Sequence, residues 1–219
     1  SFCIVPTTRG REVSRPADAI VREAESLAAR GVVEIVLLGQ TVNAYGRHDL
    51  RRERAEQAGT MSFAALIRRL AAIPALRRIR YTSPHPIFFD DDLVRAHGEI
   101  EKLCPHVHMP VQSGADAVLA RMRRRYTGDD VRRLTARLRA VRPDLVLTTD
   151  LIVGFPGESD ADFEATLSLI CDVGYEDGFS FKYSPRPGTP GAELPGHVSE
   201  SVAQERLEAR SLVLAGEPV

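Results

Sequence analysis

The side chains able to do chemistry gather in short segments, each directly after an apolar run. They are Gly39-Gln40-Thr41-Val42-Asn43, Ser83-Pro84-His85-Pro86, Gln112-Ser113-Gly114-Ala115-Asp116, Gly154-Phe155-Pro156-Gly157-Glu158 and Ser184-Pro185-Arg186-Pro187-Gly188-Thr189. Turn chemistry accounts for the Gly and Pro residues. It does not account for amides, hydroxyls and carboxylates recurring at the same kind of place, which is the donor and acceptor set a polar small molecule needs. Gly114, opening a helical pattern, offers backbone N–H groups to a carboxylate or ribose. No Walker-type Gly-Lys-Ser/Thr and no Gly-x-Gly-x-x-Gly occurs, so triphosphates and dinucleotides lose support. Cys104, His106 and His108 alternate and so share one strand face. A zinc site would want a further ligand or an open catalytic position, and nothing nearby is a convincing partner; a structural role is expected. Arg121, Arg123, Arg124 and Arg125 beside Tyr126 make a local positive patch, read either as a solvated helix end or as phosphate-contacting.

The elements that must position these segments alternate between short β-branched runs and amphipathic helices. A helix starting near Pro16 carries Ile20, Val21, Ala24, Leu27 and Ala28 on one face, with Gly31 as its cap. Val32–Leu38 reads as a buried strand of a parallel sheet. A helix with Phe63, Leu66, Ile67 and Leu70 leads to a strand at Arg78–Thr82, and a helix at Asp90–Ala96 leads to Val107–Val111. Helices at Asp116–Arg125 and Asp129–Val141, a strand at Leu145–Val153, a helix at Asp160–Val173 begun by Ser159 and Asp162, a strand at Phe179–Tyr183 and a last helix at Val202–Leu214 complete the order. Cys171, inside an apolar helical run, is expected in the core. Gly46–Thr60, almost without apolar residues, is expected to be a solvated insertion. This alternation implies an α/β fold with parallel strands and right-handed crossovers. Too few strands are present for a closed eight-stranded barrel, which leaves an open, partial barrel or a doubly wound sheet. In either, ligands sit at the C-terminal ends of the strands.

Composition narrows the classes. At 219 residues, 43% hydrophobic and 27% charged, the chain has apolar material for a core. A formal charge of −1 excludes a globally basic nucleic-acid binder but not a local basic face. All basic residues are Arg except Lys102 and Lys182, a skew that fits codon usage better than phosphate recognition. No run reaches the roughly 18 apolar residues of a membrane span, and no signal segment opens the sequence. Cys3, Cys104 and Cys171 are too few and scattered for a disulfide framework, so a cytoplasmic location is expected.

The opening Ser1-Phe2-Cys3-Ile4-Val5-Pro6-Thr7-Thr8-Arg9-Gly10-Arg11-Glu12-Val13-Ser14-Arg15-Pro16 closely resembles the end of the Cys-x3-Cys-x2-Cys cluster loop of radical S-adenosylmethionine (SAM) methylthiotransferases. The likeness continues through Leu38–Tyr45, Met109–Gly114, Arg123–Tyr126, Thr149–Glu158 and Phe181–Pro190, in order and with the right spacing. Thr7, Thr41 and Ala115 depart from the family's usual residues. The resemblance implies a partial (β/α) TIM-like barrel of the radical SAM type, with outer helices and its first strand missing. It also implies that residues 1–198 are the core domain, cut inside its cluster loop upstream of Cys3. Residues 199–219 would then be a C-terminal helix leading to an RNA-binding domain. Two further cluster thiolates, and an N-terminal domain with an auxiliary [4Fe–4S] cluster, are expected upstream.

For function, the resemblance implies a tRNA-modifying enzyme that inserts a methylthio group at C2 of dimethylallyl-adenosine beside the anticodon. The near rival modifies a ribosomal-protein aspartate, and a cluster-free RNA- or partner-binding scaffold is the reading from a different class. In the family three thiolates hold a [4Fe–4S] cluster whose fourth iron binds SAM, and an electron from the cluster cleaves SAM to a 5′-deoxyadenosyl radical. Carried onto this sequence, Cys3 is the catalytic cluster ligand. Phe2, Gln40, Asn43, Gln112, Ser113, Asp150, Gly154 and Gly157 contact SAM. His85, Arg123, Arg124, Arg125, Tyr183 and Arg186 face the substrate. The expected partners are tRNA and an electron donor such as flavodoxin or ferredoxin, with no membrane involved and the enzyme a monomer.

Overall fold

A computed structural model describes residues 3–5, 8, 10, 13–47 and 61–214. Phe2 and most of the Gly46–Thr60 segment lie outside the described residues. The described elements are α1 (Ala17–Ala29), β1 (Glu34–Leu37), α2 (Phe63–Ala71), β2 (Arg78–Tyr81), α3 (Asp91–Glu99), β3 (His106–His108), α4 (Asp116–Arg121), α5 (Gly128–Val141), β4 (Val146–Val153), α6 (Asp160–Val173), β5 (Asp177–Lys182) and α7 (Glu200–Leu214), with short 3-10 turns at Val42–Ala44, Pro86–Phe88 and Pro190–Glu193. They pack as two units. One holds Glu12–His108 with Arg137–Leu145; the other holds Ser1–Arg11, Met109–Ala136 and Val146–Val219. The unit boundaries thus cut across residues 1–198 and group α7 with β4, α6 and β5.

In the first unit β1 and β2 pair in parallel, Glu34 opposite Arg78 and Leu37 opposite Tyr81. A parallel bridge joins Ile79 to Leu103 on the far edge of β2. Helices α2 and α3 begin where Ser62 and Asp90 accept Ala65 N–H at 3.1 Å and Leu93 N–H at 2.9 Å, each satisfying one free donor of a first turn. Leu66, Ile67, Leu70, Ile79, Leu93 and Ala96 form its core. The Val32–Leu38 run is not the fully buried strand its composition suggests: Val36 is 46% and Leu38 78% exposed. That face carries Glu34 ion-paired with Arg78 and Arg80.

A titratable group sits in this core. Tyr81 Oη and His97 Nε2 are 2.6 Å apart, and His97 is 1% exposed with its carbonyl accepting Arg142 Nη1 at 3.2 Å. Burial, assisted by the Arg142 charge, pushes the His97 imidazole from 6.5 down to about 4. His97 is therefore neutral in the folded chain but titrates normally when unfolded. The stability it permits is complete above pH 6.5 and is lost as pH falls towards 4. At pH 5 the loss is about 2 kcal/mol. Denaturant unfolding at pH 7.5 and pH 5 is expected to show that loss, and His97→Gln, which cannot titrate, should remove it. An identical pH dependence in both proteins would contradict this.

In the second unit β4 and β5 pair in parallel, Thr148 opposite Asp177 and Val153 opposite Lys182. Helix α6 begins with a capping box, Ser159 and Asp162 each accepting the other's backbone N–H, and ends at Gly174 in the left-handed region (φ 60°). Cys171 is on the exposed side of α6, not in the core. Helix α4 is shorter than the expected Asp116–Arg125. It stops at Arg121, with Arg124 N–H donating to Leu119 O at 2.8 Å around a left-handed Arg123 (φ 58°).

Candidate functional site

Residues 109–112 run along the edge of β4 opposite β5. Met109 N–H donates to Thr148 O at 2.8 Å and Gln112 N–H to Asp150 O at 2.9 Å, while Gln112 O accepts Ile152 N–H at 2.8 Å. Thr149 Oγ1 adds to the seam, donating to Met109 O at 2.9 Å. Gln112 is held at φ 72°, a left-handed backbone that a non-glycine residue adopts only where its surroundings impose it. It is 8% exposed, yet its carboxamide engages no side chain or backbone group among the described residues. An amide that the protein leaves unengaged is open to a ligand or to solvent.

The two faces of the β4–β5 pair differ. Leu147, Thr149, Leu151 and Val153 are buried on one face, where Gly178, opposite Thr149, lies against Arg210 of α7. The other face carries half-buried Asp150 and Ile152, in register with Phe179 and Phe181. Those two rings are 64% and 52% exposed and lie stacked with centroids 6.5 Å apart. This open face presents a carboxylate beside aromatic surface, next to Gln112. At its end Tyr183, also half-buried, packs edge-on against Phe155 with centroids 4.9 Å apart. Burial raises the Tyr183 hydroxyl, which has no hydrogen-bond partner among the described residues. Arg186 is exposed in the following turn, where its carbonyl accepts Thr189 Oγ1 at 2.7 Å.

Several candidate residues turn out to hold the scaffold. Ser113 Oγ accepts Ala115 N–H at 3.1 Å and lies 3.2 Å from Thr166 Oγ1, so its hydroxyl is engaged locally. Gly114 N–H donates to Thr166 Oγ1 at 3.0 Å and is not offered to a ligand. A Cβ there would come within 2.6 Å of Ala165 O, so glycine is required by the close approach of α6. Gly154 (φ 72°) has Ala203 of α7 in its Cβ direction at 2.9 Å, and Gly157 (φ 76°) has the Arg121 guanidinium at 3.3 Å. In the Cβ direction each of these glycines meets protein, and each has the positive φ that the turn requires.

Arg121, counted with the positive patch, is also internal in role. Its Nη2 donates to Gly157 O at 2.7 Å and lies 3.7 Å from Asp162. Arg123 and Arg125 are exposed in the turn after α4, and Arg124 is half-buried. Tyr126 is buried beneath them and donates to Val111 O at 2.8 Å. This anchors the patch to the strand segment that carries Gln112.

In the other unit Asn43, 2% exposed, spends both ends of its amide on one residue. Its Nδ2 donates to His85 O at 3.0 Å and its Oδ1 accepts His85 N–H at 2.8 Å. The loop after β1 is thereby tied to the loop after β2. Gln40 is exposed in the same loop, and the half-buried His85 ring lies 5.8 Å from that of Phe88.

A model of the radical SAM superfamily matches residues 1–170. The chain belongs to the radical SAM superfamily. Its fold is similar to that of coproporphyrinogen III oxidase (HemN) from Escherichia coli, with 15% identity over 91% of this chain and 45% of that one at a TM-score of 0.62. It is also similar to SuiB from Streptococcus suis bound to its precursor peptide SuiA, with 12% identity over 98% of this chain and 43% of that one at a TM-score of 0.59. SuiB bound to S-adenosylmethionine matches at 11% identity over 94% of this chain and 43% of that one, again at 0.59. These likenesses show the radical SAM fold, and this chain spans less than half the length of the structures it matches. Members of this superfamily are enzymes that use a [4Fe–4S] cluster and SAM. The described residues fit the two cofactors unequally. Cys3 is exposed and forms no disulfide, and a thiolate suits iron, but no group of three or more His, Cys, Asp or Glu that could hold a metal occurs among the described residues. The amide of Gln112, which no described residue engages, suits a polar cofactor such as SAM. No helix among the described residues is long and apolar enough to cross a membrane.

Proposed function

We propose that this domain belongs to a radical SAM enzyme that replaces hydrogen by a methylthio group at C2 of dimethylallyl-adenosine beside the tRNA anticodon. The reading is carried by the ordered string of motifs from Cys3 to Pro190, and its ligand end is supported by the left-handed Gln112, whose amide no described residue engages. The cluster, when bound, supplies the electron for reductive cleavage of SAM. Cys3 is one of its thiolate ligands, and Phe2 lies against the cofactor. Gln112 orients the polar end of SAM and Asp150 the neighbouring donors; the resemblance adds Gln40 and Asn43 to the residues that contact SAM. Ser113 holds its strand end in shape, and Gly154 and Gly157 let the backbone of the turn after β4 approach the adenine of SAM. Tyr183, Arg186 and His85 face the modified base and its flanking nucleotides. Arg123, Arg124 and Arg125 contact phosphate, a sequence-independent source of RNA affinity. Flavodoxin or ferredoxin donates the electron, an auxiliary [4Fe–4S] cluster supplies sulfur, and the enzyme works as a cytoplasmic monomer.

The test uses the gene product with its complete cluster loop, reconstituted and reduced anaerobically. Offered dimethylallylated tRNA and ribosomal protein separately, it should place a methylthio group on the tRNA adenosine, read by mass spectrometry of the digested nucleosides. Modification of the protein aspartate alone would favour the rival reading, and neither product would leave the scaffold reading.

A further inference from the structure

Helix α7 and the residues leading into it reach the turn after β4 at three points. Gly196 O accepts Gly157 N–H at 2.7 Å, and Ala203 fills the space beside Gly154. The third contact is Arg206, 6% exposed. Its Nη1 donates to Glu158 O at 3.2 Å and lies 3.6 Å from Glu158 Oε1, its Nη2 donates to Asp160 Oδ1 at 2.7 Å, and its guanidinium sits 5.6 Å over the Phe163 ring. Glu158, 8% exposed, accepts Phe155 N–H at 3.0 Å on its other oxygen. A line of contacts thus runs from α7 through one buried carboxylate to the peptide that opens the turn. We propose that Arg206 is a positioning residue, which by pairing with Glu158 holds the Gly154–Glu158 turn in the shape that admits SAM.

The electrostatics make Arg206 the group on which the carboxylate depends. Burial pushes the Glu158 carboxyl above its ordinary range, and Asp162, at the start of α6, pushes the same way. Arg206 is the largest opposing influence, followed by the amides of Phe155 and Gly154. From α4, Arg121 faces the turn but is bonded to Gly157 O and paired with Asp162, while Asp160 occupies the far nitrogen of Arg206. Without the guanidinium, burial and Asp162 act with less opposition. The carboxyl then protonates at higher pH and becomes a weaker acceptor for Phe155 N–H.

The proposal rests on the reading that the enzyme binds SAM, so the experiment separates the two. In the 219-residue chain, the Phe155 amide resonance is followed against pH. Arg206→Met should raise its titration midpoint by about one pH unit, Arg206→Lys should restore most of the shift, and Glu158→Gln should abolish the titration. In the cluster-loaded enzyme, Arg206→Met should weaken SAM binding about tenfold, with Arg206→Lys again recovering most of it. An unmoved Phe155 midpoint in Arg206→Met overturns the proposal, as does a moved midpoint with unchanged SAM affinity. Failure of the underlying reading looks different: the wild-type enzyme would not bind SAM, while the titration shift would persist. If Arg206→Met does not fold, the titration is compared between Arg206→Lys and wild type. A midpoint unchanged within error together with unchanged SAM affinity then overturns the proposal.

Discussion

Gly114→Ala is expected to destabilise the chain by about 3 kcal/mol, at the upper end of what one added methyl does to a close-packed site. The new Cβ would lie 2.6 Å from Ala165 O, 2.7 Å from Thr166 Cα and 2.9 Å from Leu169 Cβ. Two of these are backbone atoms of α6, which cannot rotate away as a side-chain tip can. Helix α6 must move outward, and Gly114 N–H then loses its 3.0 Å bond to Thr166 Oγ1. Gly188→Ala is the control. That glycine has φ 79° and nothing within 4 Å of its Cβ position, so only backbone strain of about 1 kcal/mol is expected. Denaturant unfolding measures both. A Gly114→Ala protein as stable as Gly188→Ala would mean that α6 does not press on the strand end as described.

Gln112→Ala is expected to do the opposite: weaken SAM binding 5- to 100-fold in the cluster-loaded enzyme and leave stability nearly unchanged. The affinity range corresponds to the loss of about 1–3 kcal/mol for a hydrogen bond to a buried or charged partner. Stability is spared for two reasons. The carboxamide makes no hydrogen bond to the described residues, so truncation orphans no protein group. The left-handed backbone strain at φ 72° is common to Gln and Ala. Gln112→Gly relieves that strain and should stabilise the chain by about 1 kcal/mol while losing the same ligand contact. Calorimetric titration with SAM and unfolding curves on the same preparations decide it. Intact SAM affinity together with a large fall in melting temperature would make Gln112 a structural turn residue.

Local signals made part of this structure legible from the residues alone. Helix α6 is bounded by Ser159, Asp162 and Gly174, short-range capping chemistry that needs no tertiary context. The alternation of strands and helices was legible for the same reason, and so was the place of Gln112 at a strand end. The end of α4 was not: Arg123 adopts the left-handed conformation where sequence would signal glycine, so a run of arginines looked like continued helix. Gly114 looked like an opening for a ligand because a glycine that admits a helix is indistinguishable in sequence from one that admits a cofactor. Arg206 and Arg210 were passed over because nothing local distinguishes a buried arginine from an exposed one in a helix. In the structure they are 6% and 0% exposed, and Arg210 bonds Phe179 O at 3.1 Å, with burial pushing its guanidinium down to about 10. Long-range partners decided each of these cases.

The most direct test of the proposed chemistry labels the hydrogen that is replaced. Dimethylallylated tRNA carrying deuterium at C2 of the target adenosine is given to the reconstituted, reduced enzyme with unlabelled SAM, and the 5′-deoxyadenosine released is analysed by mass spectrometry. The account predicts deuterium in 5′-deoxyadenosine, together with a methylthio group on the same adenosine. SAM cleavage that releases only unlabelled 5′-deoxyadenosine, with the deuterium retained in the tRNA, would contradict it.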